Sequence, residues 1–498
     1  MLLLRRARGA VPQALQLLTA PTSTALLAAR HSQRVLRSSG ATRDMSGAGA
    51  GDSNERDSTS REGVDVLVDR SGLFHPPADP SPVVRPGDSP LESHLRSLIH
   101  FRGGPLTVAE LVHEALTHPT HGYYMTRDVF GAAGDFVTSP EISQMFGELI
   151  GVWTASLWQQ LGTPKKLCLV ELGPGRGTLM ADLLRFAASL PALRDALSVH
   201  FVEVSPALRR LQASALDCES TAAPIGTGRT RDGNVSVTWH ADFGTVPDEE
   251  DTPIVVLAHE FFDALPVHQF QRTPDRGWVE RLVDVTHSAS DTAALRFVLS
   301  PGPTAASKML VPQRLAAVPQ AVAPTVQAME LCPKGMAIWQ GIARRVATRR
   351  GGALAIDYGD EGPLAFTLQA IKQHAFCDDL LAGVGTADLS AHVDFGALRM
   401  AASQVPGVQC HGPLTQRHLL ASLGIEHRLQ ALLASCTDER QSEALYAGAL
   451  RLVGQEEAVR ATGDAAVPAP PPGMGVRYKC MAMVNADLGP PVGFEALK

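Results

Sequence analysis

A glycine-rich turn preceded by an acid is the first stretch of the sequence that points to chemistry. Glu171-Leu-Gly173-Pro-Gly175-Arg-Gly177 follows an apolar run and precedes an amphipathic helical pattern at 178–185. Glycine permits positive φ and lets a ligand approach the backbone. A dinucleotide fingerprint needs the spacing G-x-G-x-x-G, whereas these glycines follow G-x-G-x-G with a carboxylate two residues before them. The turn therefore favours S-adenosylmethionine, a sulfonium with an amino group, over a diphosphate; a purely structural turn is the alternative.

Two further acids stand at the ends of the strands predicted to follow this turn. Glu203 closes a strand predicted at 199–204, where a nucleoside-binding sheet presents a carboxylate to ribose hydroxyls. Asp242 and Phe243 follow the next strand, where a carboxylate and a ring suit the amino group and the face of an adenine. Each acid alone is also compatible with an exposed loop. Their recurrence at successive strand ends favours a cofactor site formed by Glu171, Gly173, Gly175, Gly177, Glu203, Asp242 and Phe243.

Glu260 and Asp263 follow a fourth predicted strand, 254–259, and are the candidate catalytic residues. Methyl transfer from a sulfonium is an in-line displacement, so the protein must orient the acceptor and exclude water. Two carboxylates can bracket a guanidinium through charge-assisted hydrogen bonds. His259 is a further candidate, as acceptor of the released proton. The alternative for Glu260 and Asp263 is capping of a helix that begins after the strand.

These residues must be positioned by a mostly parallel sheet, because short apolar runs alternate with helical stretches. Strands are predicted at 167–172, 199–204, 235–239, 254–259, 352–357 and 478–484. Helices are predicted at 107–116, 141–161, 177–189, 206–216 and 332–349. Two runs that alternate in period two, 278–285 and 295–299, predict a hairpin inserted between sheet strands, and a helical tail is expected at 415–453.

The expected fold class is α/β, with the Rossmann-like sheet of class I methyltransferases, a helical N-terminal region and an inserted hairpin and helix. The predicted segments are a mitochondrial transit peptide (1–43), a disordered linker (44–90), an N-terminal helical or lid region (91–166), the cofactor-binding core (167–264), the inserted hairpin and helix (265–350), and the rest of the core sheet with a helical cover and a final strand (351–498).

The composition of the chain indicates its cellular compartment and limits its possible binding partners. The first 43 residues contain seven arginines and no acid, which is typical of a mitochondrial transit peptide; a basic tail on a cytosolic protein is the alternative. The net charge of -7 disfavours a nucleic-acid partner. The sequence contains no apolar run of about 20 residues, so no membrane span is predicted. The seven cysteines stand singly, so no metal site is predicted.

The ordered motifs of the chain resemble those of the MidA-like mitochondrial complex I assembly methyltransferases. The resemblance spans about 98–395 and rests on Gly103-Gly-Pro-Leu106, His121-Gly-Tyr-Tyr124, Gly134-Asp-Phe-Val-Thr-Ser-Pro-Glu-Ile-Ser143, Glu171-Leu-Gly-Pro-Gly-Arg-Gly177, Glu260-Phe-Phe-Asp-Ala-Leu-Pro266, Asp357-Tyr-Gly359 and Asp388-Leu-Ser-Ala-His-Val-Asp-Phe395. The family usually has Asn where this chain has His259, which leaves the role of that position open.

The resemblance implies a protein-arginine methyltransferase that uses S-adenosylmethionine. It further implies symmetric dimethylation of a complex I core subunit in the mitochondrial matrix during assembly of the NADH dehydrogenase. Two alternatives stay open at this point. One is an assembly chaperone that keeps the methyltransferase fold without catalysis. The other is a nicotinamide-dependent oxidoreductase on a similar sheet, which the acid at Glu171 and the glycine spacing argue against.

Overall fold

The computed structural model describes residues 89–126, 137–220, 226–232, 234–285, 295–363, 365–373, 375–454 and 474–495. The segment predicted to target the chain to mitochondria, 1–43, lies outside the described residues. So do the predicted linker up to residue 88 and the stretch Gly134-Asp-Phe136.

The strands run in chain order as follows: β1 (Leu106–Thr107), β2 (Leu167–Leu172), β3 (Leu197–Val202), β4 (Cys218–Ser220), β5 (Thr227–Thr230), β6 (Ser236–His240), β7 (Ile254–His259), β8 (His268–Thr273), β9 (Gly277–Val285), β10 (Leu295–Leu299), β11 (Ala328–Leu331), β12 (Gly351–Asp360), β13 (Gln369–Lys372), β14 (Ala375–Phe376), β15 (Asp388–Ser390), β16 (Val393–Asp394), β17 (Val408–Thr415) and β18 (Tyr478–Asn485).

The helices are α1 (Pro90–Arg102), α2 (Val108–Thr117), α3 (Tyr123–Thr126), α4 (Ser139–Ile142), α5 (Gln144–Gln160), α6 (Thr178–Ala187), α7 (Pro191–Arg194), α8 (Pro206–Ala215), α9 (Ala305–Ala316), α10 (Pro333–Arg349), α11 (Phe395–Ser403), α12 (Gln416–Ser422), α13 (Ile425–Ser435), α14 (Glu439–Val453) and α15 (Met474–Arg477). Among the helices described, none is both long enough and apolar enough to cross a bilayer.

A ten-stranded sheet forms the centre of the fold. Its order is β17-β18-β12-β7-β2-β3-β6-β5-β4, with β16 paired to β12. The strands from β12 to β6 are parallel neighbours, and β18 returns antiparallel to β12. Every residue of β2 and β7 is buried, as expected for strands covered on both faces. The carboxyl ends of the parallel strands therefore meet at one edge, where open α/β sheets bind ligands.

All six predicted sheet strands are present, and 167–172 and 254–259 match residue for residue. The single helix predicted at 141–161 is wrong, because the chain forms α4 and α5 with a break at Ser143. Ser143 is extended, and its hydroxyl accepts a hydrogen bond from the Met145 amide at 3.3 Å, which caps α5. Strands β8 and β17 were not predicted, because their mixed polar sequences contain no apolar run.

Between β7 and β12 the chain builds a second sheet. The predicted hairpin is confirmed, since β9 and β10 pair antiparallel with Val285 opposite Leu295. Strands β8 and β11 from the same stretch, and β1 from the N-terminal region, extend it to five strands. The insertion is thus larger than a hairpin and a helix. A third, three-stranded sheet, of order β14-β13-β15, lies after β12 and outside this insertion.

A buried ion pair ties this insertion to the main sheet. The Arg314 guanidinium on α9 donates to both carboxylate oxygens of Asp394, at 2.7 and 2.9 Å. The side chains are only 2% and 7% exposed. Asp394 also accepts the Ala397 amide and so caps α11. Removing one partner of such a pair leaves a buried charge without compensation.

Candidate active site

A cavity of about 350 Å³ opens at the carboxyl edge of the parallel strands. Eight of the nine residues predicted for the site line it: Glu171, Gly173, Gly175, Glu203, Asp242, Phe243, Glu260 and Asp263. The sheet order separates them into two groups. The first group belongs to β2, β3 and β6 and is called here the glycine-loop half; the second follows β7, beside β12 and β18, and is called the acidic half.

The glycines of the loop have positive φ, a backbone conformation that residues with a Cβ rarely adopt. Gly175 has φ +54°, and its carbonyl accepts a hydrogen bond from the Gln212 side-chain Nε2 at 2.8 Å. Gly177 has φ +87° at the start of α6. It does not line the cavity: a Cβ there would lie 3.2 Å from the Gln212 Cα, so Gly177 allows α8 to pack against the loop. The role of Gly177 is therefore to support the glycine loop rather than to contact the cofactor.

Two of the predicted acids are buried in the glycine-loop half. Burial raises the pKa of Glu171 to about 8, and its Oε2 accepts no hydrogen bond from the described residues. Burial also raises the pKa of Glu203 to about 6. Hydrogen bonds from the Ser205 backbone amide at 2.7 Å and the Gln212 side chain at 3.1 Å partly offset this rise. Those bonds fix the orientation of the Glu203 carboxyl. Such a group is suited to pair with two ribose hydroxyls.

Asp242 and Phe243 close the same half of the cavity. The exposed Asp242 accepts the Gly244 amide through Oδ1 at 2.6 Å and caps the short 3-10 turn Phe243–Thr245. The Phe243 ring is 8% exposed, with the Arg345 guanidinium carbon 4.4 Å from its centroid. A partly covered ring beside a carboxylate provides a face for a planar base.

The acidic half begins at Glu260, directly after β7. Glu260 has φ +47°, which is unusual for a residue other than glycine. Its backbone amide donates a hydrogen bond to the Ile356 carbonyl at 2.9 Å. Turns and then β8 follow β7, so the alternative in which Glu260 and Asp263 cap a helix is wrong. Burial raises the pKa of Glu260 to about 8, with a smaller contribution from the Asp263 carboxylate.

Asp263 is held beside Glu260 by a third acid beneath the turn. Asp357 on β12 is fully buried and accepts the Phe262 and Asp263 amides through Oδ2, at 3.1 and 3.3 Å. Asp357 does not line the cavity and serves to fix the turn. Burial raises the pKa of Asp263 to about 6, and its Oδ1 is buried without a hydrogen-bond partner among the described residues.

Three of the five tyrosines in the chain line this half, each facing one carboxyl. The Tyr124 hydroxyl donates to Asp388 Oδ1 at 2.8 Å. Hydroxyls of Tyr358 and Tyr478 oppose the rise in pKa that burial causes at Asp263 and Glu260, respectively. No local sequence pattern predicts a site role for Tyr358, Tyr478 or Asp388.

His259 lies under the acidic half, and its imidazole Nε2 is 3.4 Å from Glu260 Oε1 without forming an aligned hydrogen bond. Burial lowers the pKa of His259 to about 3. The imidazole is therefore neutral near pH 7 and a weak base, which argues against its proposed role as proton acceptor. Glu260, with its raised pKa, is better matched to that task.

The residues present fit S-adenosylmethionine and a cationic acceptor. Buried oxygens of Glu171, Glu260 and Asp263 lack hydrogen-bond partners among the described residues. Such orphaned acceptors are costly unless a ligand satisfies them. Carboxyls suit the amino group and sulfonium of the cofactor on one side and the N–H groups of a guanidinium on the other.

Comparisons with known proteins identify the family of the chain. Residues 149–414 match a family model described as "Putative S-adenosyl-L-methionine-dependent methyltransferase". The chain is 43% identical over 351 residues to the mitochondrial protein arginine methyltransferase NDUFAF7 of Danio rerio, an alignment that covers 69% of this chain and 78% of the relative. It is 40% identical over 374 residues to the Homo sapiens protein of the same name, covering 73% and 80%.

Among solved structures, the fold is similar to a Burkholderia thailandensis protein crystallised with S-adenosyl-homocysteine. The TM-score is 0.63 at 24% sequence identity, and the match covers 83% of this chain and 98% of that one. This likeness supports the predicted class I methyltransferase fold. The chain therefore belongs to the family of S-adenosyl-L-methionine-dependent methyltransferases that includes the mitochondrial NDUFAF7 proteins.

Proposed function

We propose that this enzyme methylates a guanidinium nitrogen of a protein arginine, in the mitochondrial matrix, and that Glu260 and Asp263 bind the acceptor. The observation that carries the proposal is the acidic half of the cavity. Its carboxyls are buried, and Glu260 Oε1 and Asp263 Oδ1 lack hydrogen-bond partners among the described residues. Neither carboxyl forms an ion pair with an arginine or lysine of the described chain. A guanidinium supplies both charge and N–H donors for these positions.

The glycine-loop half is proposed to hold the methyl donor through Glu171, Glu203, Asp242, Phe243 and the loop backbone. Bound S-adenosylmethionine supplies an electrophilic methyl group on a sulfonium. Because β2 and β7 are adjacent in the sheet, the two halves of the cavity lie side by side. The site therefore brings donor and acceptor together in one water-poor cavity.

Glu260 and Asp263 are proposed to orient the guanidinium so that one nitrogen faces the methyl group. As that nitrogen forms its bond to carbon, the carbon–sulfur bond breaks and the nitrogen must lose a proton. The Glu260 carboxylate is placed to take this proton. Its pKa of about 8 makes it a stronger base than an ordinary carboxylate.

The identity of the acceptor rests on relatives and resemblance. The relatives named above are called protein arginine methyltransferases and mitochondrial. The resemblance to complex I assembly methyltransferases supports a complex I core subunit as the acceptor, and symmetric dimethylarginine as the product. Cationic acceptor segments are compatible with the acidic half.

The test is incubation of the full chain with isotopically labelled S-adenosylmethionine and mitochondrial extract, followed by mass spectrometry of the labelled proteins. We expect label on arginine of a complex I subunit. Glu260→Gln should bind S-adenosylhomocysteine with wild-type affinity but transfer no label, whereas Glu250→Gln, an exposed acid outside the cavity, should be fully active. Label on lysine or on a small molecule would contradict the proposed acceptor.

The same experiment tests the alternative of a catalytically silent assembly chaperone. That alternative predicts binding of a complex I subunit with no label transfer by the wild-type protein. The nicotinamide-dependent oxidoreductase is not retained, because the chain belongs to a methyltransferase family.

A further inference from the structure

A fourth acid outside the predicted site approaches the acidic half from another part of the chain. Asp388 begins β15, is 5% exposed and lines the cavity. The Tyr124 hydroxyl, from α3, donates to its Oδ1 at 2.8 Å. Burial raises the pKa of Tyr124, and the neighbouring Asp388 and Asp263 carboxylates raise it further. The hydroxyl therefore stays protonated and remains a hydrogen-bond donor.

Backbone contacts fix β15 against the turn that carries the catalytic candidates. The Ala391 amide donates to the Asp263 carbonyl at 2.9 Å, immediately after β15 ends. Ser390, on the same strand, also lines the cavity. Asp388 and Glu260 line the same cavity, and the Asp388 carboxylate adds to the rise in the pKa of Glu260. Asp388 thus reaches the acidic half from the small sheet, whereas Glu260 and Asp263 reach it from the main sheet.

We propose that Asp388, oriented by Tyr124, is an acceptor-binding residue that acts with Glu260 and Asp263 to select a guanidinium over a lysine ammonium. A guanidinium presents five N–H donors in one plane and can be bonded from more than one side at once. An ammonium is a compact charge whose three N–H donors all lie on one nitrogen, so carboxyls on separate elements cannot all reach it equally well. The unpartnered oxygens of Glu260 and Asp263 are the independent sign that a donor-rich ligand is expected here.

This inference rests on the proposed function, and its test separates the two. The full chain, saturated with S-adenosylhomocysteine, is titrated with acetyl-Gly-Arg-Gly-amide and with acetyl-Gly-Lys-Gly-amide, and binding is followed by ligand-observed NMR. Transfer of label to arginine of mitochondrial proteins is measured in parallel. We expect the wild type to prefer the arginine peptide.

Asp388→Asn removes the charge and keeps the shape, so arginine-peptide affinity should fall about tenfold or more, the loss typical of a charge-assisted hydrogen bond. Tyr124→Phe should weaken it about threefold, because the hydrogen bond that orients Asp388 is lost while the Asp388 charge remains. Affinity for S-adenosylhomocysteine should stay unchanged in both. Asp378→Asn, an exposed acid between β14 and β15 that does not line the cavity, is the matched control and should behave as wild type.

Each outcome decides one point. Wild-type arginine-peptide affinity in Asp388→Asn, or equal affinity of the wild type for both peptides, overturns this inference while the proposed function stands if arginine is labelled. Absence of arginine labelling and of arginine-peptide binding by the wild type overturns the proposed function itself. If Asp388→Asn does not bind S-adenosylhomocysteine, Tyr124→Phe decides: a selective loss of arginine-peptide affinity supports the inference, and wild-type affinity refutes it.

Discussion

Replacing Glu260 with Gln should stabilise the protein while removing activity. Burial, with help from Asp263, raises the pKa of Glu260 from its ordinary 4.5 to about 8. Between these two pH values the folded protein holds a proton that the unfolded chain releases. Stability therefore falls as pH rises through this window, because the unfolded state binds fewer protons. Gln keeps the shape of the side chain and carries no ionisable group.

The size of the effect follows from the shift. One pKa unit corresponds to about 1.4 kcal/mol, so the rise from 4.5 to about 8 amounts to at most about 5 kcal/mol above pH 8. At pH 7 the carboxyl is mostly protonated in the folded state, and the penalty is about 3 kcal/mol. Below pH 4.5 it disappears. The positive φ at residue 260 is retained in the variant and does not contribute to the difference.

Thermal unfolding of the wild type, Glu260→Gln and Glu250→Gln from pH 4.5 to 9 measures this directly. Glu260→Gln should have a higher Tm than the wild type. This difference in Tm should be near zero at pH 4.5 and should grow as the pH rises. Label transfer by the wild type should rise with pH over the upper part of the same range, as Glu260 ionises. A margin that does not change with pH, or a Glu250→Gln variant that behaves like Glu260→Gln, would refute the reasoning.

Three further predictions concern positions around the site. Gly175→Val should abolish S-adenosylhomocysteine binding in calorimetry, because a branched side chain is strained at φ +54° and fills space beside the ligand; unchanged affinity would remove the loop from the cofactor site. His259→Asn should leave the pH profile of label transfer unchanged, since burial keeps the pKa of His259 near 3; a displaced profile would restore its role as a base. Asp394→Ala should lower stability by about 3–5 kcal/mol, because it leaves the Arg314 guanidinium buried without its carboxylate; a Tm equal to that of the wild type would contradict this account.

The glycine-loop half could be predicted from the sequence because its signals are local. A parallel strand buried on both faces is a continuous apolar run, and the residue that ends it is necessarily at the ligand edge. Glu171 lies near the end of such a run, whereas Glu203 and Asp242 follow strands of alternating burial. All three could be assigned from their positions at strand ends, and they line one cavity. Polar strands such as β8 and β17 carry no comparable signal, so the extent of the insertion was underestimated.

The acidic half depended on tertiary structure. Tyr478 lies on an antiparallel strand far along the chain, and Asp388 lies on a small separate sheet, so only strand pairing and packing bring them beside Glu260. Burial likewise decides protonation, which is why His259 is neutral and Glu260 is a stronger base than its residue type indicates. The sequence by itself determined where six strands of the main sheet lie along the chain and which acids stand at their ends. The folded chain decided which distant side chains meet those acids and how much water they lose, because both depend on contacts between residues that no local pattern records.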